Sequence, residues 1–367
     1  VLTKPDPFSS IPIYSVNGTK LNPFLKAEKT KSIEAGMELF FFSRRLGLDF
    51  SWYKTNTTDQ IMPVTISTAT GYNSKYVNAG EIQNKGIEVS LSGTPIKSED
   101  FRWDINVNWA KNENEVISLF EDVKNLQLGS FQGGVTINAS IGEPYGTIQG
   151  TDFVYTNGER TITSAGYYAK TSTTNNVIGN MNPEWNGGIN NKFTYKNFNF
   201  SFLIDVQKGG SIFSLDTWYG YATGLYDQSV GLNDRGIERR ESLADGGGIL
   251  FQGVQADGTP NTVYGRGDYY GNGLGYGRAP SALHIYDASY VKLREIALTY
   301  TLPSRILESS FISGMEFSVI GSNLWIIHKN MPYADPEAGL SSGNLQGYQS
   351  GVMPSTKDLG FNVKLQF

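Results

Sequence analysis

The stretch FRWDINVNWAKNENEVISL, Phe101–Leu119, changes side-chain character at every step. Phe101, Trp103, Ile105, Val107 and Trp109 make one row, and Arg102, Asp104, Asn106 and Asn108 make the other. Successive side chains of a strand point to opposite faces, so this stretch reads as a strand with one apolar and one polar face. The pattern recurs on both sides of it. Ile33, Ala35, Met37, Leu39 and Phe41 form a row, as do Leu46, Leu48, Phe50 and Trp52. Ile87, Val89 and Leu91 alternate with Glu88, Ser90 and Ser92. Phe198, Phe200, Phe202, Ile204 and Val206 lie opposite Asn199, Ser201, Asp205 and Gln207. The final segment alternates Leu359, Phe361, Val363, Leu365 and Phe367 with Asp358, Gly360, Asn362, Lys364 and Gln366.

Composition narrows what such strands can build. The 367 residues include 20 Phe, 21 Tyr and 6 Trp, and only 18% are charged, which is too aromatic and too weakly charged for a disordered chain. Cysteine is absent and histidine occurs twice, which leaves no disulfide framework, no thiolate chemistry and no multi-histidine zinc site. A net charge of -5 argues against nucleic acid as a partner. No apolar run approaches the roughly 18 residues of a membrane helix. The chain opens on Val with no basic and apolar leader behind it, so the expectation is a removed export signal or a piece of something larger.

A transmembrane β-barrel escapes hydropathy scans, because lipid-facing and lumen-facing residues alternate and average out. A soluble β-sandwich alternates too. The rows here run to about five apolar residues, and a tilted strand needs about 9–11 residues to cross a bilayer. Aromatics gather at row ends, at Trp52, Phe101, Trp103, Tyr195, Phe198, Trp325 and Phe367. Rings in that position suit an interfacial girdle, which favours the barrel over the sandwich.

Nine strands are expected, at about 30–42, 45–62, 76–93, 100–117, 184–196, 197–209, 285–302, 314–328 and 357–367. Short connections near 43–45, 94–99, 196–197 and 303–313 alternate strictly with long ones at about 63–75, 118–183, 210–284 and 329–356. Barrels of the bacterial outer membrane show this asymmetry, with short periplasmic turns and long extracellular loops. An odd count conflicts with the even count of a complete bacterial barrel. Residues 1–367 therefore read as the C-terminal portion of a larger barrel, with earlier strands outside this chain. Val291 and Leu293 are out of phase with Ile296, Leu298, Tyr300 and Leu302, which predicts a β-bulge near Arg294–Glu295. One helical turn is expected within Ser304–Phe311.

At these residues the chain resembles SusC/RagA-like TonB-dependent transporters of Bacteroidetes outer membranes. The resemblance is carried by LKAEKTKSIEAGMEL (25–39), NKGIEVSLSGTPI (84–96), FRWDINVNWAKNENEVISL (101–119) and IGEPYGTIQGTDFVY (141–155). It continues through GNMNPEWNGGINNKFTYKNFNFSFLIDVQKGG (179–210), DASYVKLREIALTYTLP (287–303), GSNLW (321–325), DPEA (335–338) and the closing PSTKDLGFNVKLQF. It implies a 22-stranded multi-pass barrel with an N-terminal plug and a TonB box, none of which is visible here. It also implies a SusD-like surface lipoprotein as partner, a dimer of transporter–lipoprotein pairs, and import of oligosaccharides or peptides driven through TonB. A passive porin-like channel and a surface-binding barrel without transport are the alternatives.

Residues suited to a ligand or partner gather in the loop 210–284: Trp218, Tyr219, Tyr221, Tyr269, Tyr270 and Tyr276. Aromatic faces stack on sugars and add hydrogen bonds, though large loops also need aromatics for their own packing. Asp49, Glu88, Arg102, Asp104 and Asp205 are expected to face the lumen, where they would line the passage, anchor a plug or serve structure alone. Asp335 and Glu337, with His328 nearby, complete no catalytic constellation, and GYGRAP and GGGI lack the strand–glycine–helix setting of a phosphate loop. The chain is therefore expected not to be an enzyme, with no catalytic residue, no metal site and no cofactor. Calcium on loop carboxylates such as Asp335 is the minor exception.

Overall fold

A computed structural model describes residues 2–3, 15–268, 271–339 and 345–367. Its largest element is a nine-stranded antiparallel sheet. The strands are β1 (Lys29–Phe41), β2 (Leu46–Thr58), β3 (Gly80–Lys97), β4 (Phe101–Leu119), β5 (Pro183–Tyr195), β6 (Phe198–Gly209), β7 (Tyr290–Thr301), β8 (Gly314–Lys329) and β9 (Asp358–Gln366). Each pairs with its neighbours in the chain, so the sheet is a pure meander. Turns of a few residues join β1 to β2, β3 to β4 and β5 to β6 at one end, and a short helix, Ser304–Leu307, sits between β7 and β8. The long connections leave the other end.

Register sorts the two faces. Side chains of directly opposed residues in an antiparallel pair share a face. One lateral row runs Leu39, Leu48, Leu91, Val107, Ile189, Ile204, Leu293 and Trp325 across eight strands without a polar member. The adjacent row on the other face runs Glu38, Asp49, Ser90, Asn108, Gly188, Asp205 and Lys292, with no apolar side chain. The apolar face is open: Trp325 is 60% exposed and Val319 55%, both on a strand inside the sheet. Apolar outside and polar inside is the arrangement of a barrel wall in lipid. The bulge expected near Arg294–Glu295 is present, since Leu203 opposes Glu295 while Ile204 opposes Leu293. That slip returns Val291 and Leu293 to the apolar face.

Three strands differ from the sequence reading by four residues or more at an end. β2 ends at Thr58 because Asp59 turns with a positive φ of 58°. The next apolar run, Ile61–Thr65, joins Ser74–Asn78 and Thr19–Lys20 in a separate small sheet. β3 therefore starts at Gly80, where φ is 150° and a Cβ would lie 2.2 Å from the Ser118 carbonyl oxygen. It runs past Gly93, through a bulge, to Lys97. β7 starts at Tyr290, because Ile285–Asp287 pairs instead with Ser211–Ser214.

Buried apolar residues lie mostly above the wall, among the long connections. A four-stranded sheet of Asn125–Phe131, Val135–Ser140, Thr147–Gly150 and Asn176–Asn180 forms there. Val135, Ile137, Ile148, Phe213, Leu215 and Tyr348 pack into one core, and Met62, Val77, Val116, Leu119 and Leu126 into another. Among the described residues no helix is long and apolar enough to cross a membrane.

Candidate functional site

The inner face of the wall is the first candidate surface. Opposed carboxylates and hydroxyls make a concavity of about 490 Å³ lined by Asp49, Ser51, Glu88, Ser90, Asn108 and Asp205. Gly187 and Gly188 on β5 leave it room. Ser90 donates to Asn108 Oδ1 at 2.9 Å. Tyr53 lies across Gly86, where an added Cβ would stand 2.4 Å from its hydroxyl, and that hydroxyl donates to Asn112 Oδ1 at 3.1 Å. All five charges expected on the lumen side share this polar face by register. They do not act alike. Arg102 pairs with Asp104 at 2.7 Å, and Asp104 also accepts from Thr94 at 2.7 Å, near the turn end of the wall. Asp205 is tied to Arg294 at 2.7 Å. Asp49 and Glu88 form no ion pair among the described residues, so they offer free negative charge to whatever fills the lumen.

A polar knot crowns the wall. Lys292, almost wholly buried, holds Asp335 at 2.5 Å and also contacts Glu337. Arg294 bonds Glu337, and Tyr290 donates to Glu337 at 3.0 Å and to Asp205 at 3.2 Å. Burial pushes Asp335 upward, but hydrogen bonds from Lys292, the Glu337 backbone and Ser355 outweigh it and hold the carboxyl below its ordinary value. Glu337 is likewise held low: burial opposes, and Arg294 and Lys292 prevail. Among the described residues no group of three or more His, Asp or Glu is placed to hold a metal ion. His328 bonds Asn330 rather than either carboxylate.

The second candidate surface is aromatic and extracellular. Helix α1 (Leu215–Ala222) is capped by Ser214, whose hydroxyl accepts from the Thr217 amide at 3.1 Å. It presents Trp218 and Tyr219 edge-on to Tyr276, with ring centroids 4.8–5.4 Å apart. These three rings are half-buried. Tyr221 instead points inward, 8% exposed, against Tyr226 and His284, and burial pushes its phenol well above the ordinary range. Tyr269 and Tyr270 lie outside the described residues. Of the six aromatic candidates, the fold thus gathers three, buries one and leaves two undescribed.

Sequence reasoning did not find His284. It is fully buried, its Nδ1 lies 3.1 Å from Thr217 Oγ1, and burial pushes its imidazole down to about 3. Nor did it find the pairing of Lys292 with Asp335, 43 residues apart. Arg239 and Arg240 donate to the Gln228 and Gly224 carbonyls.

Comparisons with known proteins agree with this architecture. Residues 5–133 match the family described as TonB dependent receptor-like, beta-barrel. TonB-dependent receptor P3 of Formosa agariphila is 27% identical over 96% of this chain, and TonB-dependent receptor SusC of Bacteroides thetaiotaomicron 22% identical over 99%. The chain spans 36% of the length of each. The fold also matches the structure of the RagAB peptide transporter, with a TM-score of 0.70 at 19% identity, covering all of this chain and 38% of that one. The RagAB peptide importer in its closed-closed state matches with a TM-score of 0.71. The chain is thus a stretch of outer-membrane β-barrel similar to the TonB-dependent receptors, and its resemblance to SusC/RagA-like transporters is borne out.

Proposed function

We propose that these residues supply wall and extracellular vestibule to a TonB-dependent importer of oligosaccharides or peptides. The observation that carries this reading is the pair of unbroken lateral rows, apolar outside and polar inside, beneath a separately packed extracellular layer. β1 and β9 are the edges of the sheet. Open edges in lipid would leave backbone groups unpaired at several kcal/mol each, so further strands complete the cylinder. A cylinder wide enough for 22 strands is closed by a plug, and opening that plug is the work assigned to TonB.

Ligand arrives from the long-loop side. The Trp218–Tyr219–Tyr276 cluster offers half-buried rings there, suited to sugar C–H faces or peptide side chains. A SusD-like lipoprotein would sit over the same layer, with the transporter–lipoprotein pair doubled. The chain itself does no covalent chemistry: Asp335 and Glu337 are occupied as ion-pair partners.

The test is accumulation of labelled oligosaccharides and peptides by cells with and without the full-length protein. Uptake must depend on the protein and vanish when the proton-motive force is dissipated. Uptake that survives dissipation identifies a passive channel. Surface binding without accumulation identifies an adhesive barrel.

A further inference from the structure

The outer face changes character at the long-loop end of β1–β4. Register extends the lipid-facing rows upward from Ile33 to Lys31 and Lys29, from Trp52 to Lys54, from Ile87 to Lys85 and from Trp109 to Lys111. Lys54 stands directly opposite Lys85, and Lys111 opposite Ile87. Five lysines thus ride on the apolar band with Trp52 and Trp109 beneath them. Glu113 bridges Lys85 at 3.0 Å and Lys111 at 2.8 Å. Glu115 lies one register step above. Lys54 is exposed on an interior strand, Lys29 and Lys31 stand on the edge strand β1, and none of the three forms an ion pair among the described residues.

Snorkelling of lysine out of lipid explains side chains of this kind at either boundary. On the outer rows of β1–β4 they occur at one, and at the other end Arg44 lies in the turn, over the Phe40 ring. At the short-turn end the same outer rows finish in Phe41, Leu46, Ile96 and Phe101. In the neighbouring turn, Arg45 is spent on the Thr94 and Pro95 carbonyls. The asymmetry follows the leaflets. Cationic side chains continuous with an apolar, indole-bearing surface match a lipid with an anionic headgroup, its acyl chains against the band and its phosphate against the amines.

We propose that Lys29, Lys31 and Lys54, with Trp52 below, form a binding site for a phosphate-bearing lipid of the outer leaflet. Lys85 and Lys111 sit at its margin, where Glu113 already engages them. A site of this kind would orient the barrel in its leaflet and keep an annular lipid through purification.

The experiment uses full-length protein in detergent and diphosphoryl lipid A as probe, with affinity read by native mass spectrometry. Each lysine near an anionic surface contributes about 1 kcal/mol, so Lys29→Gln/Lys31→Gln/Lys54→Gln weakens binding about 100-fold. Lys192→Gln, on the inner face opposite Asp104, leaves it unchanged. Lys29→Arg/Lys31→Arg/Lys54→Arg keeps binding within a few fold and shows that charge, not folding, was removed. Heat-modifiable migration of every variant confirms the barrel. The proposal is overturned if the triple Gln variant binds like wild type, or if Lys192→Gln weakens binding as much. It also fails if lipid A stripped of phosphate binds equally well, or if inorganic phosphate displaces the lipid at comparable concentration.

Discussion

Val107 and Asn108 are neighbours in β4 on opposite faces of the wall, so placing the same charge at each isolates the facing. Val107 is four residues below Lys111 and six above Phe101 on the outer row. At about 3.3 Å per residue these are roughly 13 and 20 Å along the strand. A tilt of about 40° reduces them to roughly 10 and 15 Å of depth, which places Val107 near the middle of a band about 25 Å tall. Its register partners are Leu91 and Ile189, so nothing nearby can share a charge. Val107→Arg should therefore cost about 2–4 kcal/mol, the penalty for a cation near the midplane, or about 30- to 1,000-fold in the folding equilibrium. Asn108→Arg enters a polar row with Asp49 two strands to one side and Asp205 two strands to the other, and should cost less than about 1 kcal/mol. The assay is denaturant titration of the full-length barrel in lipid vesicles, with the folded fraction read by heat-modifiable electrophoresis. Equal losses at the two positions, or a larger loss at Asn108, would refute the assignment of faces.

Four further outcomes test separate parts of the structure. Trp103 Nε1 donates to Asn191 at 3.1 Å on the lipid face, so Trp103→Phe should cost about 1–3 kcal/mol by orphaning a buried amide. Adding Asn191→Leu should recover most of that loss in a double-mutant cycle, and simple additivity would count against the bond. His284 is charged at pH 5 when unfolded, from its ordinary value of 6.5, but neutral in the fold, where burial holds it near 3. Its contribution is complete above pH 6.5 and lost as pH falls toward 3, about 2 kcal/mol by pH 5; hydrogen exchange at residues 281–287 should show this, and His284→Gln should flatten it. Lys292→Met leaves Asp335 without its cation and Glu337 with Arg294 alone, and should destabilise by about 3 kcal/mol in a thermal melt of the full-length barrel. Lys292→Met/Asp335→Leu/Glu337→Gln should be milder in the same melt. Trp218→Ala/Tyr276→Ala should weaken ligand retention about tenfold or more while the barrel still assembles, as read by equilibrium binding to the purified protein.

The wall was legible because its information is local. A strand with one face in lipid and one in water must alternate, and nine alternating runs gave nine strands. Even the bulge at Arg294 showed, because Val291 and Leu293 could reach the apolar face only through a slipped residue. The errors fell where alternation continues through a change of partner. Ile61–Thr65 looks like more of β2, and only the turn at Asp59 sends it into another sheet. Thr94–Pro95 looks like a turn, yet the strand bulges and carries on. The extracellular layer was less legible for the opposite reason. Val135 and Ile137 alternate on one strand, but their partners Phe213, Leu215 and Tyr348 come from segments about 75 to 215 residues away, and no local pattern announces such a meeting. The lysines opposite Asp335 and in the belt above Trp52 are single positions whose meaning comes only from register.

Wall and layer are stabilised by different means, and this decides what each can do. The wall sends its large apolar side chains outward, so it has ladder hydrogen bonds but no interior of its own. Its cohesion depends on the surrounding lipid and on strands beyond its edges. A surface so constrained tolerates little sliding, and it can hold fixed charges such as Asp49 and Glu88 at set positions. The layer above stands in water and must bury its own core. Tyr348 shows how: it stacks between Phe131 at 4.6 Å and Phe213 at 5.6 Å, donates to the Gln132 carbonyl, and is pushed up to about 12 by burial, so it stays an uncharged hydrogen-bonding ring. Those contacts join three separate connections, and α1 follows directly from Phe213 and Ser214. The rings of Trp218, Tyr219 and Tyr276 are therefore positioned by the layer's core and not by the wall. The layer meets the wall through the apolar core at Val116 and Leu119 and through the charged knot at Lys292 and Arg294, and breaking a pair as buried as Lys292–Asp335 leaves a charge uncompensated.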